Sequence, residues 1–239
     1  MTPRLYLEDS YRTGFDGQVV ACDAGWCALD ATLFFPGGGG QPPDRGTLTV
    51  GGEPLAVTEI REDEAGVVWH RVGRDLAPGA AVHGAIDWPH RHAVMRHHGL
   101  MHVVNTVARE LFGGVITGVQ IGAVRSRIDF RLAAFGRDAI PVFEARVNEI
   151  LAQGLPVRHA VISEAEFRAR PELVRTLNVL PPVVDGTVRV VEIAGFDAQA
   201  CGGTHVRTTT EIGVARLVKF DNKGKDNKRF YWELSGDAP

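Results

Sequence analysis

WPHRHAVMRHHGLMHVVNTVARELFGG, residues 88–114, decides how the chain divides. Its apolar positions recur at helical spacing. Pro89 suits a first helical turn, and Gly113 and Gly114 suit its end. Met95, His98, Leu100, Met101, His102, Asn105 and Ala108 fall near one broad face of that helix. The sequence before it reads differently. RLYLED, QVVACD, WCALDATLFF, GTLTV, PLAVTEI, GVVWHRV and AVHGAIDW are short β-type runs punctuated by Gly, Pro, Asp or Asn. Residues 1–88 are therefore expected to form a small antiparallel β-barrel or sandwich.

Residues 89–239 are mixed. VITGVQIGAV and SRIDFRL predict adjacent strands, and DAIPVFEARVNEILAQG predicts a second amphipathic helix that stops at Gly154. LPVRHAVI, TVRVVEIAG, GVARLVKF and KRFYWEL read as strands, and SEAEFRARPELV as a short helix. The expected class is α+β, with helices packed on a mainly antiparallel sheet.

A length of 239 residues suits one large domain or two small ones, and 44% hydrophobic content supplies an ordinary core. The formal net charge of −3 argues against wholesale coating of nucleic acid but leaves room for a local basic patch. No apolar run is long enough to span a bilayer, and MTPRLYLEDSYRTGF carries charges where a signal peptide needs an apolar segment. No membrane partner is expected, and the reading is cytoplasmic. On that reading the three cysteines are thiols or ligands and not a disulfide framework, with Cys22 and Cys27 packed in strands.

Two pairs carry the chemistry. His98 and His102 stand at i and i+4, about 40° apart around a helix, so both imidazoles can reach one point. Cys201 and His205 bracket two glycines in CGGTH, residues 201–205, where the backbone can turn sharply. Either pair alone has a bland explanation. Together they make a borderline-soft donor set suited to one Zn²⁺ in roughly tetrahedral geometry. Gly99 follows His98, so this is not the HExxH of a zinc protease. Four protein donors describe a closed, structural site. If the metal does chemistry, one donor must give way, and His205, last in the turn, is the candidate.

FFPGGGGQPPDRG, residues 34–46, is the other unusual stretch. Four consecutive glycines cost conformational entropy, leave backbone N–H groups bare and admit a phosphate or another backbone. The loop lacks the GK[ST] of a P-loop, so no nucleotide cofactor is expected.

PGGGGQPPDRG, then HHGLMH, then GVQIGAV with RIDF, then CGGTHVRTTTEIG and a basic strand pair resemble, in that order, the alanyl-tRNA editing proteins. These are the free-standing AlaX proteins, here of the medium-length class, similar to the editing domain of alanyl-tRNA synthetase. The resemblance implies an N-terminal β-barrel followed by a two-layer α/β editing domain. It implies zinc on His98, His102, Cys201 and His205. The activity implied is hydrolysis of the ester joining serine, sometimes glycine, to tRNA(Ala). Gln120 is implied near the zinc, and Gly38, Gly39, Gly40 and Gln41 near the substrate.

The chemical need is plain without the family. A pocket built for alanine discriminates poorly against an analogue with one more hydroxyl or one less methyl, and a second hydrolytic site is a standard remedy.

The sequence departs from the family beside both helical histidines, where Gly99 and Met101 replace hydroxyl-bearing residues. Thr204 and Gln120 are left to supply a polar contact to the amino acid. Arg216, Lys219, Lys223, Lys225, Lys228 and Arg229 gather near Phe230, Tyr231 and Trp232, as a tRNA contact or as a solvated hairpin. Asp129, Glu192 and Asp197 are acidic residues able to orient ligands, with Asp129 the more structural. Two alternatives stay open: removal of serine from tRNA(Thr), and a non-catalytic RNA-binding module with a structural zinc.

Overall fold

A computed structural model describes residues 1–132, 135–175, 183–224 and 226–236. The chain is mixed α/β with antiparallel sheets, in two compact units, Met1–His92 and Ala93–Pro239.

The first unit contains β1 (Gly14–Asp23), β2 (Trp26–Leu29), β3 (Gly46–Val50), β4 (Glu53–Val57), β5 (Glu59–Glu62), β6 (Val68–Arg71) and β7 (Ala81–Ile86). They pair antiparallel in the order β4-β3-β7-β1-β2-β6-β5. Alternation places one face inward, as in β7, where Val82 and Ile86 are buried and Ala81 and His83 exposed. Phe15, Val19, Leu29, Leu33, Phe34, Leu48 and Val68 form the core beneath.

Two readings of this unit need correction. RLYLED is not a strand: Leu5–Leu7 is a 3-10 turn that buries Tyr6. Cys22 and Cys27 are not free thiols but a disulfide. They are direct partners across β1 and β2, with Cα atoms 4.2 Å apart, the close approach typical of a non-hydrogen-bonded antiparallel pair.

The glycine loop joins β2 to β3. Gly37, Gly38, Gly39 and Gly40 all have φ between +57° and +134°, which explains a run of glycines by backbone conformation alone. Gly38 and Gln41 exchange backbone hydrogen bonds of 3.0 and 2.9 Å, and Gln41 is buried. The base of the loop is clamped by Asp44, which accepts from the Phe35 N–H at 2.6 Å and pairs with Arg91. Arg91, fully buried, also donates to the carbonyls of Ser10 and Leu33 at 3.0 and 2.7 Å.

Helix α1 (Trp88–Phe112) begins in the first unit and continues into the second. The second unit adds β8 (Val115–Gln120), β9 (Arg125–Arg131), α2 (Ile140–Ala152), β10 (Val157–Ser163), α3 (Glu164–Arg168), β11 (Thr187–Ile193), β12 (Asp197–Ala200), β13 (Val214–Asn222) and β14 (Asn227–Ser235). One sheet runs β10-β11-β12 and the other β13-β14-β9-β8. Phe130, Phe143, Phe230 and Trp232 pack edge to face in the core. Helix α2 blunts the edge strand β13: Asn148 exchanges hydrogen bonds with the Ala215 backbone, and Glu144 accepts from the Leu217 N–H at 2.7 Å. No described helix is long and apolar enough to cross a membrane.

Candidate metal centre

Helix α1 presents His98 and His102 one turn apart, and β12 runs straight into Cys201. The four donor atoms of His98, His102, Cys201 and His205 lie within 4.8 Å of one another. Cys201 Sγ is 3.5 Å from His98 Nε2 and 3.3 Å from His205 Nε2. A tetrahedral zinc with ordinary Zn–S and Zn–N bonds separates sulfur from nitrogen by roughly 3.5 Å. Donor chemistry and spacing therefore fit that ion. The His205 ring lies 4.1 and 4.5 Å from those of His98 and His102, so this donor is held as closely as the others.

Burial sets the protonation states. Desolvation holds His98 and His205 well below the usual imidazole pKa and pushes His102 down to about 3, so all three are neutral and able to ligate. Desolvation likewise raises the Cys201 thiol. A cation bound there reverses that last preference, because a coordinating thiol gives up its proton.

The surroundings fix these groups. Arg189 Nη1 donates to the carbonyls of Cys201 and Gly203 at 3.0 and 2.9 Å, and its own carbonyl accepts from the Cys201 N–H at 3.0 Å. The Gly203 N–H points at Cys201 Sγ, 3.4 Å away. His102 Nδ1 has no hydrogen-bond partner among the described residues and lies 3.8 Å from Asp197 Oδ2, which leaves Nε2 available to an ion. Asp197 accepts from Thr106 Oγ1 at 2.7 Å, Gln199 Nε2 at 2.6 Å and Arg175 Nη2 at 3.0 Å. Asp197 thus stands against a histidine of the cluster. Glu192 is exposed on β11, and Asp129 takes a bidentate pair from Arg229 at 2.8 Å.

Other candidate residues sort by position. Thr204 is fully buried inside the CGGTH turn, and Met101 is buried on α1. Gln120 is exposed at the end of β8, opposite Arg127. Gly38, Gly39, Gly40 and Gln41 belong to the first unit. Lys228 directs its ammonium into the β13–β14 turn, at 2.8 Å from Asn222 Oδ1 and 3.0 Å from the Gly224 carbonyl. Arg216, Lys219 and Lys223 keep exposed side chains, Lys219 pairing with Asp221 at 3.1 Å. Lys225 lies outside the described residues.

Arg189 and Thr106 were not singled out from the sequence. Thr106 had a signal, standing four residues past His102. Arg189 had a weaker one, as a charge inside the strand run TVRVVEI.

The site's setting is an antiparallel α/β unit whose long helix and one sheet end meet in a His/Cys cluster. Residues 188–231, which hold Cys201 and His205, match the threonyl and alanyl tRNA synthetase second additional domain. Over 237 residues the chain is 37% identical to the alanyl-tRNA editing protein AlaX-M of Saccharolobus solfataricus, covering 98% of this chain and 99% of that one. Over 244 residues it is 38% identical to AlaX-M of Methanosarcina barkeri, again covering 98% and 99%. It is also 32% identical over 244 residues to the alanine–tRNA ligase of Halorubrum lacusprofundi, covering 99% of this chain and 26% of that enzyme. The chain belongs to the alanyl-tRNA editing proteins, in the AlaX-M family.

Proposed function

We propose that the chain is a zinc-dependent trans-editing deacylase, acting in the cytoplasm, that removes serine, and also glycine, from mischarged tRNA(Ala). The observation that carries this reading is the convergence of His98, His102, Cys201 and His205 in a chain of this family. The first unit is read as the barrel-type domain with the glycine loop and the second as the two-layer editing domain.

In the reaction, water adds to the ester carbonyl and the bond to the terminal ribose oxygen breaks. The amino acid and the free tRNA hydroxyl leave. Zinc in the site would supply Lewis acidity toward the ester carbonyl or a water. The chain's own residues prepare the place. Asp197 orients His102, and Arg189 pins the carbonyls of the CGGTH turn. Gln120 and Thr204 are assigned the polar contacts to the reacting group and Met101 the wall beside the amino acid. Gly38, Gly39, Gly40 and Gln41 are assigned contact with the substrate, with the Gly38–Gln41 backbone pair holding the loop's shape and the Gly39 and Gly40 N–H groups as its donors. Lys219, with Arg216 and Lys223, is assigned the RNA backbone; Lys228 and Arg229 shape the hairpin that carries it.

The test is ester loss from tRNA(Ala) charged with serine, glycine or alanine, with serine on tRNA(Thr) as a fourth substrate. Fast loss of serine and glycine from tRNA(Ala) with alanine retained supports the reading. Background loss from every substrate removes it. The closed, buried four-donor set favours one rival, an RNA-binding module with a structural zinc. Cys201→Ala separates them: a folded, inactive variant supports catalysis, and wholesale unfolding supports the structural metal.

A further inference from the structure

Arg175 is nine-tenths buried, and only part of its guanidinium is used. Nη2 donates to Asp197 Oδ1 and to the Ala198 carbonyl, at 3.0 and 3.3 Å. Nε and Nη1 are buried and have no hydrogen-bond partner among the described residues. Charged donors are rarely left so, because the lost hydration is costly. Asp197 does not relieve them, since it already accepts from Thr106 and Gln199 as well as from Arg175.

A second guanidinium lies on the same helix face as Thr106, which donates to Asp197. Arg109 is exposed, and its side chain has no hydrogen bond or ion pair among the described residues. Thr106 and Arg109 stand at i and i+3 on α1, so they share a face. His98, His102, Thr106 and Arg109 then form one stripe along the helix. From His102 to Arg109 the stripe advances about 10 Å. Asp197 thus engages one donor of Arg175, and two buried, unpaired guanidinium donors are left beside the candidate metal centre, on the side where the α1 stripe ends in Arg109.

We infer that Arg175, aided by Arg109, is a subsite for a phosphodiester of the tRNA acceptor end. The inference rests on the deacylase reading above. In an aminoacyl ester the amino acid's carboxyl is esterified and its amine is cationic. The anions the substrate offers near the reacting bond are therefore phosphates. A phosphate bound by Arg175 would hold the terminal nucleotide while its ester reaches the cluster.

The test is binding of uncharged tRNA(Ala) to the zinc-loaded full chain across a potassium chloride series, for wild type, Arg175→Ala, Arg175→Gln and Arg175→Lys, with zinc content measured on each. Loss of one phosphate contact flattens the slope of log affinity against log salt by about 0.7 for a single strand. That flattening is expected for Arg175→Ala and Arg175→Gln, with wild-type slope in Arg175→Lys and full zinc in all. Arg175→Gln retains a donor toward Asp197, so it answers the question if Arg175→Ala disturbs the fold. Slopes equal to wild type in the alanine and glutamine variants overturn the subsite, as does an equal flattening in Arg175→Lys. Hydrolysis of seryl-tRNA(Ala) by wild type, followed in parallel, separates the readings. Active wild type with unchanged slopes sinks the subsite alone, and inactive wild type sinks the deacylase reading.

Discussion

Asp197 Oδ2 lies 3.8 Å from Nδ1 of His102, a ring nitrogen that has no hydrogen-bond partner among the described residues. A carboxylate behind a metal-binding histidine fixes the ring's tautomer and strengthens it as a ligand. Asp197→Asn is expected to weaken zinc binding by about tenfold to a hundredfold. Competition against a chromophoric chelator measures this, and unchanged affinity would remove Asp197 from the metal's support.

Gly99 packs against Ile212 and Val206. A Cβ built there comes 2.9 Å from Ile212 Cδ1 and 3.5 Å from Val206 Cγ2. Gly99→Thr is therefore expected to cost about 1–3 kcal/mol through overpacking, without improving discrimination of seryl from alanyl ester. Denaturant titration and the deacylation assay check the two halves. A stable variant with sharper serine selectivity would show that the hydroxyl reaches the substrate.

The glycine loop depends on Asp44 and Arg91, a buried pair in which Asp44 also accepts from the Phe35 N–H. Removing one partner strands the other charge, so Asp44→Ala is expected to destabilise the chain by about 3–5 kcal/mol. Urea unfolding reads it out. A loss under about 1 kcal/mol, the worth of an exposed pair, would mean the clamp is solvated.

His70 gives a pH signature of the first unit. Its ring is fully buried, with Nδ1 donating to the Cys27 carbonyl at 3.1 Å and Nε2 accepting from the Thr32 hydroxyl at 2.9 Å. The Cys27 carbonyl can only accept, which puts the neutral ring's proton on Nδ1 and leaves Nε2 to accept, while the Thr32 oxygen itself accepts from the Phe34 N–H at 3.0 Å. Burial lowers the His70 pKa from 6.5 to about 4. The unfolded chain then binds the proton first. The neutral ring's contribution is complete above pH 6.5 and declines, at about 1.4 kcal/mol per unit, as pH falls toward 4. His70→Gln should lose that component of the pH dependence. Identical profiles for variant and wild type would contradict it.

The helix Trp88–Phe112 was legible because Pro89 and the Gly113-Gly114 pair mark its ends, and the four residues of the His/Cys cluster because i, i+4 spacing and a glycine turn are local signals. What stayed hidden depends on register or on distant contacts. Arg91 and Asp44 are 47 residues apart, and no periodicity links them. Cys22 and Cys27 become partners only once β1 and β2 adopt their pairing. RLYLED has strand-like alternation, yet burying Tyr6 takes only a single 3-10 turn. The Asp197–His102 approach required β12 to be laid beside β11 and under α1. Sequence spacing likewise gave no hint that Gly99 packs on Ile212.

The most direct measurement is the rate of serine release from seryl-tRNA(Ala) by the purified chain, first stripped of metal and then given one equivalent of zinc. The predicted result is background release when stripped and full recovery on addition, with recovery absent in Cys201→Ala. Undiminished release by the stripped chain, or none by the zinc-loaded one, would contradict a metal-dependent editing site at His98, His102, Cys201 and His205.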